Sequence, residues 1–302
     1  MQNFFFEASN DLRSEIESLN EVALPMCSAL WNFRKTIAGE YAENESVSLE
    51  HLKEKYNDAP GARRSANLRL AFIDTSWEEQ LKSVSELYLI GIISTYEYWT
   101  ERLTSEMDEP SLYIKLQFPS NSTRTNGVGF ALNEMTGTES DPIRDEVYPS
   151  LVRSSKYSIQ SLEALLKCFR YFKELRNCLL HRGKLCDGKL YGAQSEFLPY
   201  ANEGALGMKF VPDFQRFQVG DTVSLSFNGV LGFTEVILRI VATVDAEVAK
   251  GHKAEAHIAR RASSYRNPSQ VDISDIPSLF NEMGIPDVRG TRRLLEVLQG
   301  IS

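Results

Sequence analysis

Arg176, Asn177 and His181 lie near the end of a predicted helix and combine side chains suited to chemistry on an anion. A histidine exchanges protons near neutral pH because its unperturbed pKa is ~6.5. An arginine stays charged at every working pH, and its planar guanidinium stabilises negative charge that develops on phosphoryl oxygens. Residues of these types can together transfer a proton and stabilise an anionic transition state.

The spacing of apolar residues predicts a long helix from about Ser158 to Leu180. At ~100° per residue, Arg176 falls in the middle of its apolar stripe. Asn177 and His181 are one helical turn apart, on the border of that stripe. A charged arginine on an apolar face is costly unless its charge is paired or the face borders a cleft.

Two interpretations of Arg176 follow from this position. In the structural one, Arg176 pairs with Glu97 or Glu101 of a second long helix. His181 and Gly183 then only end their helix, since a cation near a helix C-terminus and a glycine just beyond it are ordinary features. In the functional one, the arginine faces a ligand.

The charge distribution favours an anionic ligand. Between Lys167 and Lys189 the chain carries seven basic residues against Glu174 and Asp187, whereas the whole protein has a net charge of −8. Such a concentration is typical of a polyanion-binding surface, although a solvated helix face has the same composition. The overall negative charge excludes a globally basic protein that coats nucleic acid.

The run Arg176-Asn-Cys-Leu-Leu-His181 resembles the Arg-x4–6-His motif of the HEPN superfamily, including the polar residue after the arginine. The segment from Leu87 to Leu103 is similar to the long helix that packs against the motif helix in that family. The resemblance covers roughly residues 80 to 185. HEPN domains are helical bundles, and many are metal-independent endoribonucleases of toxin–antitoxin, CRISPR-linked and phage-defence systems.

The resemblance implies cleavage of RNA by its own 2′-hydroxyl, which attacks the adjacent phosphorus and leaves a 2′,3′-cyclic phosphate. His181 is then the general acid/base and Arg176 stabilises the transition state. Asn177 hydrogen-bonds a phosphate oxygen or orients His181. No metal and no other cofactor is expected.

The resemblance also implies a homodimer, because family members bring two motif helices together to form one composite cleft. Arg170, Lys173 and Arg182 would flank the RNA path. An antitoxin or a sensor protein is the other partner expected. One toxin branch has a modified tyrosine two residues after the histidine; here Gly183 stands there, so nucleotidyl transfer to that position is not expected.

Other functions remain as alternatives. The main one is a non-catalytic HEPN-like adaptor or antitoxin-like protein that uses the bundle only to dimerise or to bind a protein. Cys178, three residues before His181, is a less favoured nucleophile because buried structural cysteines have the same pattern. The glycines of Asn126-Gly-Val-Gly129 lack the context of a dinucleotide site. Zinc is not expected, because no cysteine has paired ligand spacing with His51, His181, His252 or His257.

Composition predicts an intracellular globular protein. Apolar residues make up 42% and charged residues 25% of the 302 residues, which is ordinary for a folded protein with a large core. Four cysteines without a CxxC pair are typical of reduced thiols. The N-terminus lacks the basic region of a signal peptide, and the best apolar run, Leu87 to Tyr96, is too short to span a bilayer. We therefore expect a cytoplasmic protein with no membrane association.

The segments around the motif read mostly as helices, so we expect a mainly α fold. It is expected to be an HEPN-like helical bundle with a small β-hairpin insertion. The first region, residues 1–78, is helical, with two helices separated at Pro25. The HEPN-like domain spans 79–258 and contains long helices at about 77–107, 158–180 and 233–250. It includes a loop insertion at 119–149 and a β insertion at about 205–229, with alternation at 217–229. Residues 259–302 form a polar linker and a short helix at 291–298.

Overall fold

The computed structural model describes residues 4–43, 48–56, 67–122, 124 and 126–300. Within these ranges the chain is mainly helical, as the sequence predicts, and forms no β-strand. Short 3-10 and π turns connect several of the helices. The α-helices are α1 (Glu7–Glu43), α2 (Leu49–Tyr56), α3 (Trp77–Glu106), α4 (Tyr113–Leu116), α5 (Val128–Thr136), α6 (Tyr148–Leu151), α7 (Leu162–His181), α8 (Gly188–Phe197), α9 (Glu203–Leu206), α10 (Phe227–Ala249), α11 (Lys253–Tyr265), α12 (Ile276–Glu282) and α13 (Arg292–Leu298).

Helix α10 is the central helix, and α1, α3, α5, α6 and α7 pack around it. Its side chains are buried on nearly every side, as a helix that is apolar all round requires. The ring of Phe233 lies 4.5 Å from that of Phe172 and 5.9 Å from that of Phe169, both on α7. Phe169 in turn contacts Tyr96 of α3, with ring centroids 4.6 Å apart. Aromatic packing therefore fixes α3 and α7 against the same core helix.

By length and composition, α10 is also the one helix of the described residues that is apolar enough to cross a membrane, with a mean hydropathy of 1.5 over 18 residues. In the folded chain, 72% of that window is buried inside the protein. The central position of α10 accounts for this composition, since a core helix is as apolar as a spanning one.

Helix α7, which carries the motif, and helix α3, which packs against it, form as predicted. Helix α3 begins with a capping box, in which the Ser76 hydroxyl accepts the Glu79 N–H at 3.1 Å and the Glu79 carboxylate accepts the Ser76 N–H at 2.9 Å. Tyr96 and Trp99 on this helix are fully buried, so they belong to the core. Helix α7 follows a 3-10 turn and ends at His181.

The predicted break at Pro25 is wrong, because α1 continues through it from Glu7 to Glu43. A proline inside a helix removes one hydrogen bond to the carbonyl four residues earlier. Here Pro25 and Glu21 are both exposed, so water can satisfy the released carbonyl. The helix is also held on both sides of the proline, by Ile16 in the main core and by Ile37 in a small second cluster.

The N-terminal segment before α1 is anchored by buried charged groups from the C-terminal half of the chain. The backbone N–H groups of Phe5 and Phe6 donate to the Asp245 carboxylate on α10 at 2.7 and 3.1 Å. Arg261 of α11 donates to the carbonyl oxygens of Phe4, at 2.9 Å, and of Phe5. Burial raises the pKa of Asp245 to about 6, although the two N–H donors act in the opposite direction.

The predicted β-hairpin insertion is absent, although residues 205–229 are all described. Val223 and Leu225 are buried, as their alternation predicts. The segment nevertheless makes a single bridge, from Thr222 to Leu185, and α10 begins at Phe227 within the predicted strand. An alternating segment becomes a strand only where a second extended segment offers its backbone.

Side chains of the neighbouring helices take the place of that second strand. Gln194 of α8 accepts the Phe217 N–H at 2.7 Å and donates to its carbonyl at 3.3 Å. The Tyr171 hydroxyl of α7 bonds the Gln215 carbonyl at 2.9 Å. Helix side chains thus satisfy the backbone at residues 215 and 217, and the connection between α7 and α8 bonds the backbone at residues 220–223.

The predicted loop at 119–149 contains α5, a π turn over Ile143–Val147 and the start of α6. The apolar residues that lie between polar ones in this segment face the core, and Val128, Ala131 and Met135 are fully buried. Gly127 and Gly129 let the backbone of residues 120–121 approach closely, because a Cβ at either position would overlap it. These glycines therefore serve packing.

One apolar core draws side chains from all three predicted segments, 1–78, 79–258 and 259–302, and includes Phe5, Trp99 and Leu294. Helix α11 runs through the predicted boundary near 258 as far as Tyr265. The predicted terminal helix is present as α13 and packs against α11.

Candidate functional site

The predicted motif residues occupy the last two turns of α7. Arg176 and Asn177 are followed one turn later by His181, which is the last residue of the helix. The helix ends there because Gly183 and Lys184 both adopt left-handed backbone angles, with φ of 63° and 62°. The N–H of Lys184 bonds back to a carbonyl of the last turn at 3.1 Å. This local stop places His181 at an open helix end.

Arg176 pairs with Glu97 of α3. Its Nη2 lies 2.6 Å from Glu97 Oε1, and the two side chains are 15% and 28% exposed. The Arg176 Nε atom is buried and has no hydrogen-bond partner among the described residues. This is the contact that the structural interpretation predicts, with Glu97 rather than Glu101 as the partner. The pair offsets part of the cost of a guanidinium on an apolar face.

Glu97 also holds a second cation from α7. Lys173 Nζ lies 3.3 Å from Glu97 Oε1 and donates to the Gln117 carbonyl at 2.9 Å. Burial lowers the pKa of Lys173, and the nearby Glu97 carboxylate opposes this effect. One carboxylate on α3 therefore serves two of the predicted site residues.

His181 is exposed, and in the part of the chain that the structure describes it makes no hydrogen bond or ion pair. Asn177 Nδ2 approaches Glu174 Oε2 at 3.5 Å, the limit of a hydrogen bond. Within one chain, no hydrogen bond joins Arg176, Asn177 and His181 to one another. The structure thus gathers the three at one end of α7 with a free imidazole and an arginine already held by a carboxylate.

The other predicted RNA-binding residues also carry acidic partners. Arg170 lies 2.8 Å from Glu196, and Arg182 lies 3.0 Å from Glu174 and 2.9 Å from Asp187.

Carboxylates from outside residues 167–189 account for much of this pairing. Glu86 and Glu97 come from α3 and Glu196 comes from α8, so the balance counted along the sequence omits them. The predicted concentration of positive charge is therefore largely offset in the folded chain.

Two exposed apolar side chains flank His181 along the chain. Leu180 and Leu185 are 45% and 47% exposed. Between them, Lys184 is bound to Glu86 of α3 at 2.6 Å. Exposed apolar residues around a polar group are typical of contact surfaces, whereas isolated ones need no explanation.

Cys178 is fully buried one turn before the end of α7. Its Sγ lies 3.7 Å from an Arg182 guanidinium nitrogen and 3.9 Å from Asp187 Oδ1. A buried thiol cannot reach a substrate, so this geometry fits the structural interpretation of Cys178. No group of three potential metal ligands is found among the described residues.

Comparison with family models, with curated proteins and with solved structures finds no match for this chain. The functional interpretation therefore rests on the residues themselves and their contacts. The strongest of these for a functional site is the exposed His181, whereas the pairing of Arg176 with Glu97 is the contact of the structural interpretation.

Proposed function

We propose that this chain is a metal-independent endoribonuclease of the HEPN type, with an HEPN-like helical bundle and a cytoplasmic role in toxin–antitoxin or anti-phage defence. The observation that carries the proposal is the end of α7, where His181 is exposed and unpaired within the described residues, one turn beyond Asn177. The packing of α7 on the long helix α3 supports it, since the family resemblance predicts a long helix at that place.

His181 is the proton-transfer group in this proposal. An exposed imidazole at a helix end can take the proton from the 2′-hydroxyl or give one to the departing 5′-oxygen. The 2′-oxygen attacks phosphorus, the bond to the 5′-oxygen breaks, and a 2′,3′-cyclic phosphate remains. Asn177, one turn away, donates to a phosphate oxygen.

Arg176 has to exchange partners to stabilise the transition state. Its Nη2 leaves Glu97 and donates to a phosphoryl oxygen. A charge-assisted hydrogen bond to a carboxylate is thus replaced by one to a phosphate. Glu97 is not left unpaired by this exchange, because Lys173 remains beside it at 3.3 Å. The shared carboxylate therefore lowers the cost of releasing Arg176.

Two copies of the chain supply the rest of the site. One arginine and one histidine are few groups for phosphoryl chemistry, and two α7 ends facing each other double them. Leu180 and Leu185, exposed beside His181, are the apolar contacts we assign to this homodimer. Arg170, Lys173 and Arg182 then flank the bound RNA.

The test is cleavage of mixed tRNA and mRNA in excess EDTA by the wild type, His181→Ala and His51→Ala. His51 is also exposed but lies on α2, so it is a matched control. We expect cyclic-phosphate ends from the wild type and from His51→Ala, and none from His181→Ala. Circular dichroism establishes that the three proteins are equally folded. Equal cleavage by all three would overturn the proposal.

A second function has its own supporting observation. The ion pairs of Arg170, Arg176 and Arg182 with carboxylates of the same chain favour a non-catalytic adaptor, because such cations already have partners without RNA. An adaptor keeps its protein binding when Arg176 or His181 is lost, apart from effects on stability. This second function is supported if the wild type does not cleave RNA and if its homodimer, or its binding to a captured protein partner, persists in His181→Ala.

A further inference from the structure

A polar cavity of about 330 Å³ lies beside α7, about three turns before the helix end that carries His181. Residues 118–122, which follow α4, form one wall, and side chains of α7 that include Lys167 and Arg170 form the other. The aromatic side chain of Phe118 lines this cavity and is 49% exposed. An exposed ring among polar and basic groups is typical of a contact surface rather than of a core.

The cavity and the motif lie on one face of α7. Along this face the helix carries Leu166, Arg170, Lys173, Asn177 and His181, at intervals of four, three, four and four residues. Side chains at such intervals follow one another on the same side of an α-helix. At 1.5 Å per residue, Arg170 and His181 are ~16 Å apart along the helix axis. An RNA strand with its scissile bond at His181 therefore reaches the cavity by lying along α7.

Positive charge remains along this face after the ion pairs are formed. Two groups there each contain two cations and a single carboxylate, namely Lys167 and Arg170 with Glu196, at 2.7 and 2.8 Å, and Lys173 and Arg176 with Glu97, at 3.3 and 2.6 Å. Each group keeps one net positive charge, which attracts phosphate. After His181 the balance reverses, because Arg182 is paired with both Glu174 and Asp187. An RNA strand at His181 is therefore attracted toward the cavity.

The wall that carries Phe118 is fixed to the rest of the fold. The carbonyl of Gln117, the preceding residue, accepts a hydrogen bond from Lys173 Nζ at 2.9 Å. On the other side of Phe118, the Ser120 carbonyl accepts the Gly129 N–H at 3.2 Å. A ring on a backbone that is already ordered loses less conformational entropy when a ligand binds.

Polar groups at the cavity are open to a ligand. The exposed Asn121 side chain makes no hydrogen bond among the described residues. Glu163 is also exposed, and its Oε1 accepts the Tyr200 hydroxyl at 3.3 Å, which leaves Oε2. A carboxylate oxygen accepts from the exocyclic amino group of adenine, cytosine or guanine. Uracil has a carbonyl oxygen in place of that amino group, and a carboxylate repels it.

We propose that this cavity binds one unpaired nucleobase of the RNA, a few nucleotides from the scissile bond, and that it favours a base with an exocyclic amino group over uracil. The base stacks on Phe118, and its amino group donates to Glu163 Oε2. The adjacent phosphate lies against Lys167 and Arg170. This inference rests on the proposed ribonuclease function, because it places the RNA along α7.

The test measures binding of single-stranded RNA separately from cleavage. The full chain with His181→Ala is titrated into fluorescein-labelled oligocytidylate or oligouridylate of about 12 nucleotides, and fluorescence anisotropy gives the dissociation constants. Cytosine and uracil are both pyrimidines, and they differ in the amino group that Glu163 is proposed to accept. We expect oligocytidylate to bind about fivefold more tightly than oligouridylate, or better.

Two variants in the same background locate the base. Phe118→Ala should weaken binding of both oligonucleotides about fivefold or more through loss of stacking. Phe210→Ala is its control, because Phe210 is also 49% exposed but lies between α9 and α10, outside the cavity. Glu163→Gln should reduce the preference for oligocytidylate, since an amide can also donate to the uracil oxygen. Glu54→Gln, on the exposed side of α2, should leave that preference unchanged.

Failure of this inference is distinguishable from failure of the proposed function. The inference is overturned if neither oligonucleotide binds, if the two bind equally, or if folded Phe118→Ala binds as tightly as Phe210→Ala. In each case, cleavage by the wild type decides independently whether the ribonuclease proposal stands. If the wild type does not cleave RNA but the expected preference and the loss in Phe118→Ala are observed, the nucleobase site is supported and the ribonuclease proposal alone fails.

Discussion

The Arg176 guanidinium is held 2.6 Å from the Glu97 carboxylate, which ties the end of α7 to the middle of α3. The same carboxylate lies 3.3 Å from Lys173, so two cations one turn apart converge on one oxygen. This arrangement stabilises the packing of the two helices, and it holds the side chain of Arg176 on α7, five residues before the exposed His181. The structural role of Arg176 and its proposed catalytic role involve the same contact and have to be separated by experiment.

Replacement of Glu97 by glutamine should destabilise the fold by about 1–3 kcal/mol, because partly buried cations lose their carboxylate. The side chains of Arg176 and Lys173 are 15% and 20% exposed, so water replaces the lost carboxylate only in part. Urea unfolding measures the loss. Glu101→Gln, an exposed neighbour one turn along α3, is the control and should change the stability by less than ~0.5 kcal/mol. Equal losses in the two variants would contradict a stabilising Glu97.

Cleavage should disappear on dilution below the dissociation constant of the homodimer, since the proposed site needs two α7 ends. Leu185→Glu places a charge in the proposed interface and should move this loss to higher protein concentration. Leu70→Glu alters another exposed leucine, 56% accessible, in the π turn Leu70–Asp74 before α3, and serves as the control. Sedimentation and specific activity are measured on the same samples. A fully active monomer would refute the composite site.

Glu106 at the end of α3 and His257 on α11 have side-chain atoms 3.9 Å apart, and the stability of variants at these two residues should depend on pH in opposite directions. The pKa of Glu106 is raised to about 7 in the folded chain, so its contribution to stability is present at low pH and is lost as the pH rises from about 4.5 to 7. The pKa of His257 is lowered to about 4, so its contribution is lost as the pH falls from about 6.5 to 4.

Relative to the wild type, Glu106→Gln should therefore become more stable as the pH rises from 4.5 to 7. His257→Phe should become less stable, relative to the wild type, as the pH rises from 4 to 6.5. Urea unfolding at pH 4.5, 5.5, 6.5 and 7.5 measures both differences. Two parallel curves would show that the folded chain perturbs neither group.

Replacement of Gly183 or Gly129 by alanine should lower the stability of the fold, for a different physical reason at each position. Gly183 has a φ of 63° and open space around it, so Gly183→Ala should cost about 1 kcal/mol of backbone strain alone. Gly129→Ala should cost at least ~2 kcal/mol, because its Cβ would overlap the Asn121 carbonyl. Gly188 has open space and an ordinary φ, so Gly188→Ala is the control and should be neutral or stabilising. The order of midpoints in thermal unfolding checks this ranking.

Helical periodicity predicted α3, α7, α10 and α13 because these helices bury one continuous stripe or all of their faces. The errors came from features that depend on neighbours. Pro25 breaks no helix because its surroundings are exposed and both flanks of α1 are anchored. The alternation before Phe227 forms no strand because the extended backbone beside it is limited to the short connection between α7 and α8, which makes one bridge. The composition of residues 119–149 concealed the short helix α5.

The sequence predicts which residues form the candidate site, but not which groups surround them. The order Arg176, Asn177, His181 and Gly183 fixes a helix end, and the structure has it there. The acidic partners come from α3 and α8, and which of them reaches each cation depends on tertiary packing. For the same reason the sequence did not reveal the Glu106 and His257 pair, whose members are joined only by the docking of α11 on α3.

The anchoring of the N-terminal segment has a consequence for synthesis on the ribosome. Phe5 donates to Asp245, which is 240 residues later in the chain, and Arg261 holds the same segment. Three adjacent phenylalanines therefore leave the exit tunnel long before their binding groups are translated. Until then the nascent chain exposes an apolar, aggregation-prone segment that suits chaperone capture. These residues are therefore buried long after they are made.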